Sequence, residues 1–508
     1  MSSSRAKDAL ALLLGAATVL AFAPFHLPGL AWLTLAGLFF LWSDAPTPGC
    51  AAARGFAFGF GLFAAGVSWV FVALHQFGGM PAPLAAGVIA LFCAYLALFP
   101  ALAGWAFARL RTGRPATELM LLAPALWMLS EWLRGWLFTG FPWLVLGYAE
   151  LPASPLLGFA PVLGVYGLSL AVAVLAGALA FLVRAEMRAR QSLAVLTGGA
   201  ALLLAGALLQ AVSWSRPSGE PVTVSLLQGN IPQDQKFDFR EFQRTLETYL
   251  RLARESTAQL IISAESAVPA LLEDTPPRFL EALESHAKAQ GGDLLLGVFT
   301  QDPITRAYHN SVLSLGVSPP QQYRKVHLVP FGESIPLKPL LGWIFQHLLS
   351  IPIDDQGRGE SFQRPLRVAG QRVAVNICYE DVFGEEIIRQ LPEATLLVNV
   401  TNDAWYGRSI AARQHNQIAQ MRALETSRVL LRATNTGVTA VIDERGRVVA
   451  RLPEFTTARL EARVLGREGR TPFVFWGNGM ALGLGLVLLG LALQARPSPK
   501  LPFAQRSK

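Results

Sequence analysis

Hydrophobic and polar positions follow two different rules along this chain. Over residues 9–24, 30–42, 55–77, 84–110, 117–138, 161–183 and 193–214, apolar residues run on with almost no polar face, and an eighth run covers 472–493. Runs of this kind predict helices that span a membrane, the second being short for the task. From about Val222 to Val464 the pattern changes, and short β-branched runs alternate with charged amphipathic stretches. Strands are predicted at 222–228, 259–264, 293–298, 311–315, 372–377, 395–400, 429–434 and 438–443. Helices are predicted at 239–256, 278–290 and 413–427. Such alternation predicts a layered α/β domain. The expected organisation is a seven-helix membrane domain over 1–214, a polar α/β domain over 215–471, and an eighth span with a tail over 472–508.

Composition agrees with that division. Of 508 residues, 52% are hydrophobic and only 15% charged, more apolar surface than one core can bury. The polar region between 215 and 472 holds 29 basic and 29 acidic residues, so the net charge of +8 belongs to the membrane portion. This argues against a nucleic-acid partner. The basic residues mark alternate flanks: Arg5 and Lys7; Arg54; Arg109, Arg111 and Arg114; Arg184, Arg188 and Arg190; then Arg496, Lys500, Arg506 and Lys508. Loops near Phe25, Gly78 and 140–154 carry none. The basic side is expected to face the cytoplasm, with both termini there and the polar domain on the other face, which in a bacterial inner membrane is periplasmic. The first run, with Ala21-Phe22-Ala23 near its end, is similar to a signal peptide, but the apolar run that follows at once favours an uncleaved anchor.

Two features within the runs invite a functional reading. Glu131 and Arg134 share one helix face, and a neutralised structural pair is favoured over a relay. The glycines at 55–61 and 483–485 are read as close helix-packing surfaces rather than nucleotide loops.

Candidate chemistry centres on Cys378. Cys50 and Cys93 lie in or beside apolar runs, so the polar region cannot form an internal disulfide. The run Val373-Ala374-Val375-Asn376-Ile377 leads into Cys378, and a strand end fixes a reactive side chain while the following turn opens it. A free thiol is mostly protonated near neutral pH and needs a base or a cation. There is no Cys-x-x-Cys, His309, His327 and His415 lack metal-ligand spacing, and no segment argues for a Cys–His pair. No metal or cofactor is expected. Two further segments stand out: Leu260–Glu265, an apolar strand ending in a carboxylate, and Tyr323–Glu333, which sets Lys325 and Glu333 around an apolar turn.

Together these segments resemble the nitrilase superfamily, whose Glu-Lys-Cys triad sits in an α-β-β-α sandwich. Phe141-Pro142-Trp143-Leu144, Gly147-Tyr148, Gln228-Gly229-Asn230-Ile231-Pro232-Gln233, Cys378-Tyr379-Glu380, Arg422-Ala423-Leu424-Glu425 and Arg432-Ala433-Thr434-Asn435, in the order seven spans, domain, one span, narrow the resemblance to the bacterial apolipoprotein N-acyltransferases over nearly the whole chain. The resemblance implies Cys378 as nucleophile, Glu265 as general base, Lys325 as the cation facing the oxyanion, Glu333 as a supporting carboxylate, and Tyr379 and Glu380 flanking the nucleophile. Trp143 and Phe237 are candidates for substrate access; where the family often has Trp after Gln-x-x-Lys, this chain has Phe237. The backbone N–H of Tyr379 is a second candidate donor to the oxyanion. One good oxyanion donor is worth about 3 kcal/mol, and a shared Cys378 predicts ping-pong kinetics.

The resemblance implies a glycerophospholipid donor, a lipoprotein acceptor with an N-terminal diacylglyceryl cysteine, and the lipid bilayer as partners, with a monomer the simplest assembly. A lipid substrate is also expected from the apolar stretch at 339–352, which contains Trp343 and Phe345. Beside a membrane it is read as a lid or lipid access element. Two other readings stand: a membrane-tethered amidase, whose tether needs only one span, and a transporter with a binding domain, which would carry broken helices in repeats.

Overall fold

The computed structural model describes residues 2–184, 189–334 and 356–495. Trp343, Phe345 and the whole 339–352 stretch lie outside the described residues, as do Arg188 and the basic tail from Arg496. Each of the eight apolar runs contains a helix: α1 (Ser2–Thr18), α2 (Pro28–Ser43), α3 (Pro48–Gly66), α4 (Ala82–Arg109), α5 (Ala123–Arg134), α6 (Ala160–Leu182), α7 (Ala189–Leu209) and, after the polar region, α11 (Gly479–Gln494). Among the described residues, four stretches are long and apolar enough to cross a membrane: Pro48–Gly66, Ala82–Arg109, Pro155–Leu182 and Ala189–Leu209. Two boundaries differ from the hydropathy pattern. The third run breaks at Val67, and a wide turn at Ala73–Phe77 follows. The fifth opens with a similar wide turn at Glu118–Leu122.

The glycines explain how these helices approach. A side chain at Gly61 would overlap the Leu12 carbonyl, and one at Gly55 the Pro100 carbonyl, so α3 needs hydrogen at both positions to lie against α1 and α4. Gly485 on α11 is likewise closed off by Met128, whereas Gly483 meets nothing. Basic residues gather at one end of the bundle. Lys7 on α1 pairs with Asp44 beyond α2, and Arg54 on α3 donates to the Leu41 carbonyl. The opposite ends carry Ala23, Trp69 and Trp143, which bond to the polar domain.

Among the described residues that domain is built on two large sheets, and a short antiparallel pair, Ser215–Pro217 with Arg467–Gly469, joins its two ends. The strands of the two large sheets are β1 (Val222–Gln228), β2 (Leu260–Ile262), β3 (Val268–Leu271), β4 (Asp293–Gln301), β5 (Tyr308–Gly316), β6 (Gln322–Arg324), β7 (Leu366–Val368), β8 (Gln371–Ile377), β9 (Leu396–Thr401), β10 (Val429–Thr434), β11 (Ala440–Ile442), β12 (Val448–Arg451) and β13 (Ala458–Val464). The first sheet runs β13-β1-β2-β4-β5-β6 with β3 beside β4, and the second β12-β11-β10-β9-β8-β7. Strands β1, β2 and β4 are parallel, as are β8, β9 and β10.

Alternation along the strands decides the layers. Val222, Val224 and Leu226 face Val373, Val375 and Ile377 in the core between the sheets. Leu227, Ile261 and Leu294 point outward, beneath α8 (Phe239–Arg254) and α9 (Pro277–Ala289). Ala374, Leu397 and Leu430 point the other way, beneath α10 (Ala411–Thr426). The result is the expected α-β-β-α sandwich.

Candidate active site

The polar-domain residues singled out by the sequence gather where the parallel strands of both sheets end, the usual position for chemistry in an open α/β sheet. Glu265 lies three residues beyond β2, Lys325 directly follows β6, and Cys378 directly follows β8. The Gln228–Gln233 and Arg432–Asn435 segments also meet there: Asn435 accepts from the Ile231 amide and donates to the Ile231 carbonyl at 2.9 and 2.8 Å.

Cys378 turns the chain sharply. Its φ is +55°, a left-handed conformation that costs a residue with a Cβ about 1–3 kcal/mol and persists only where its surroundings hold it. A short helical turn, Cys378–Val382, follows. Glu380 in that turn is the brace. Its Oε2 accepts from the Ile377 amide at 2.7 Å and from the Tyr323 hydroxyl at 3.0 Å. Its Oε1 accepts from the Val326 and His327 amides at 2.6 and 3.1 Å. One buried carboxylate therefore ties the residue before Cys378 to the two residues after Lys325. Burial pushes this carboxyl up to about 7 against the pull of those donors.

Lys325 is fully buried between two carboxylates. Its Nζ is 2.7 Å from Glu333 Oε1 and 3.4 Å from Glu265 Oε1. Burial alone would pull the ammonium down, but Glu333 and Glu265 more than offset it and hold it well above its usual value. Glu265 Oε1 also accepts from Asn310 at 2.8 Å, and Glu333 Oε2 accepts from the Val329 amide at 2.8 Å. The Cys378 thiol is raised well above its ordinary value, first by burial and then by Glu265, with Lys325 opposing. The resting site thus holds a protonated thiol beside a carboxylate and a cation.

Tyr379 faces the membrane domain. Its hydroxyl donates to the Gly140 carbonyl at 3.0 Å and its ring stacks on Phe141. The Phe141–Leu146 loop is gripped in turn by Arg134, which donates to the Phe141 and Trp143 carbonyls, and by Glu131, which accepts from the Leu146 amide at 3.0 Å. Glu131 and Arg134 thus both hold this loop through its backbone. Of the two described access candidates, Phe237 is half exposed near Phe299. Trp143 is buried, and its indole N–H donates to Gln414 at 2.8 Å.

Residues 14–178 match the family model for the apolipoprotein N-acyltransferase N-terminal domain, and residues 223–465 match the carbon-nitrogen hydrolase model. An apolipoprotein N-acyltransferase of Nitrosomonas europaea is 54% identical over 96% of this chain and 97% of its own. This chain belongs to the apolipoprotein N-acyltransferase family. Proteins of the same name from Methylococcus capsulatus and Ralstonia nicotianae are 44% and 46% identical, each over 96% of this chain and over 96% and 93% of their own lengths.

For an acyltransferase, two observations add to the residues read from the sequence. Lys236 is buried, donates to the Glu265 carbonyl at 2.9 Å, and is pulled down to about 8 by burial against the charges of Glu265 and Cys378. Its position in Gln-Asp-Gln-Lys beside the access candidate Phe237 was the only sequence signal for it. An apolar groove of about 440 Å³ opens between α3 and α4, lined by Phe60, Ala64, Phe71, Ile89 and Cys93 among others. Phe92 on α4 packs edge-on against Phe141, which stacks on Tyr379, so an aromatic chain runs from α4 to the residue beside Cys378.

Proposed function

We propose that this protein transfers a fatty acyl chain from a glycerophospholipid, through a thioester on Cys378, to the α-amino group of the N-terminal diacylglyceryl cysteine of a lipoprotein. The observation that carries the reading is the site in which half-buried Cys378 sits at a held left-handed turn, with buried Lys325 locked between Glu265 and Glu333.

The thiol is protonated at rest, so the first step needs a base at the moment of attack. Glu265 takes the thiol proton as Sγ bonds to the ester carbonyl carbon. The oxyanion is balanced by Lys325, with the Tyr379 amide as second donor. As the ester C–O bond breaks, Glu265 returns the proton to the departing lysophospholipid alkoxide. In the second half-reaction the neutral amine attacks the thioester, Glu265 takes a proton from it, the C–S bond breaks and the proton goes back to sulfur. The two halves share one enzyme form, giving ping-pong kinetics. Glu333 and Glu380 keep Lys325 and the turn in place.

The groove between α3 and α4 supports a lipid donor, since its apolar lining suits an acyl chain. Phe237 is the exposed candidate for contact with substrate. The reading includes eight spans and the domains 1–214, 215–471 and 472–508. It places the catalytic domain on the periplasmic face of the inner membrane. The gathering of Lys7, Arg54 and Arg111 at the bundle end away from the sandwich supports that orientation.

The test is to incubate the purified protein with phospholipid labelled in its acyl chains, without acceptor, then denature it and add neutral hydroxylamine. Hydroxylamine-labile label on the native chain and none on Cys378→Ala is the expected result. Release of free fatty acid without labelled protein would favour a tethered hydrolase instead.

A further inference from the structure

Behind the nucleophile turn lies a closed ring of four charged side chains that the reaction as written does not use. His415 Nδ1 is 2.8 Å from Asp403 Oδ1 and its Nε2 is 2.9 Å from Asp381 Oδ1. Arg432 donates to Asp381 Oδ2 at 2.9 Å and to Asp403 Oδ2 at 3.2 Å. All four side chains are buried, at 0–3% exposure. Four different elements supply them: the turn after Cys378, the segment after β9, helix α10 and strand β10.

The geometry points to where the protons lie. With each carboxylate accepting from the guanidinium through Oδ2 and from the imidazole through Oδ1, both ring nitrogens of His415 carry hydrogen. The ring is then two cations and two anions in alternation, with no net charge. Charged and titratable groups that feel the ring are Arg422 and Tyr148 near Asp381, and Tyr406 and the Cys378 thiol near Asp403. The Trp143 indole covers the imidazole at 5.3 Å. A neutral imidazole would leave two buried carboxylates against one guanidinium, an arrangement that protein interiors penalise strongly.

The ring also reaches the reacting residue. Asp381 is in the turn that Cys378 begins. Arg432 donates to Asn399 Oδ1 at 2.5 Å, and Asn399 Nδ2 donates to the Cys378 carbonyl at 3.2 Å. The charge of Asp403 is one of the influences that raise the thiol.

We propose that His415, held as an imidazolium, is a positioning residue for acyl transfer: it closes a charge-neutral ring that holds the left-handed turn at Cys378 and keeps uncompensated negative charge away from the thiol. The inference rests on Cys378 being the nucleophile. Burial and Arg432 pull the imidazolium down while Asp381 and Asp403 more than offset them, placing it at about 9, so the ring is intact at neutral pH.

The experiment uses full-length protein in detergent with phospholipid. His415→Gln leaves the ring one charge negative, and His415→Gln with Asp403→Asn restores neutrality. Two rates are read: formation of the labelled acyl-enzyme, and alkylation of Cys378 by iodoacetamide, located by peptide mass. The single variant is expected to slow both about tenfold with KM for phospholipid little changed. The double variant is expected to recover most of that loss. A single variant with native rates, or a folded double variant no better than the single, overturns the proposal, because packing alone gives no reason for a second substitution to help. If native protein forms no acyl-enzyme, the proposed function fails instead, and the alkylation rates still decide the role of the ring.

Discussion

The two sheets are covered by helices of equal length and opposite character. Both α8 and α10 have 16 residues. Helix α8 is amphipathic: Leu246, Tyr249 and Leu252 press on the first sheet while its other face carries exposed pairs such as Arg251–Glu255. Helix α10 has nearly every residue buried. Ala419 and Ala423 pack on the second sheet, and Ile418, Met421 and Leu424 pack on the membrane bundle. Several of its polar residues face inward and are bonded there, Gln417 to the Ala23 amide and the Tyr148 carbonyl, and Gln420 to the Gly446 carbonyl. The half that supplies Glu265 and Lys325 is built like a soluble enzyme. The half that supplies Cys378 is built into the membrane domain.

At the level of chemistry the two halves should be equally indispensable. Lys325→Met, from the first half, is expected to lower the acylation rate by about 10³, and single-turnover labelling would read it. A loss under tenfold would remove Lys325 from the oxyanion role. Next in size, Glu380→Gln breaks the link between the halves, since its amide N–H₂ would face backbone N–H donors. A fall in kcat of about ten- to a hundredfold with modest change in KM is expected.

The third prediction concerns pH. His415 is raised in the folded protein above the ordinary value of about 6.5, to about 9. A raised base contributes stability that is fully present below about pH 6.5 and is lost as pH rises through about 9. The native melting temperature should therefore fall more steeply across this window than that of His415→Gln. Parallel curves would break the argument. The smallest effects contrast the two helices directly. Gln417→Leu on α10 strands buried partners and should cost about 1–3 kcal/mol, whereas Gln243→Leu on exposed α8 should stay within about 0.5 kcal/mol. Equal melting shifts would erase the distinction drawn above.

Much of this was legible from the sequence because it is local. Strands at 222–228 and 429–434 appear with the predicted ends, since β-branched alternation is set by neighbouring residues. Strands β3, β6, β7 and β12 were not read, being too short to show a period, and neither was edge strand β13, whose Arg459, Glu461 and Arg463 interrupt the apolar run. The Glu265 and Cys378 segments stood out by their strand-end position, and Lys325 by the apolar turn it shares with Glu333. The ring of Asp381, Asp403, His415 and Arg432 did not, because each residue reads as ordinary polar surface until the fold assembles four distant segments. Helix α10 was found but its burial was not, since its many glutamines suggest a solvated face.

The hydrogen bond from Tyr379 to the Gly140 carbonyl gives the membrane helices a part beyond anchorage. The sandwich cut free at residues 215–471 would keep its sheets but uncover the Gln414 and Gln417 contacts and leave the turn at Cys378 without its neighbour. A soluble fragment would therefore be an unreliable proxy for the enzyme, and compounds selected against it would miss a surface that exists only where bundle and sandwich meet.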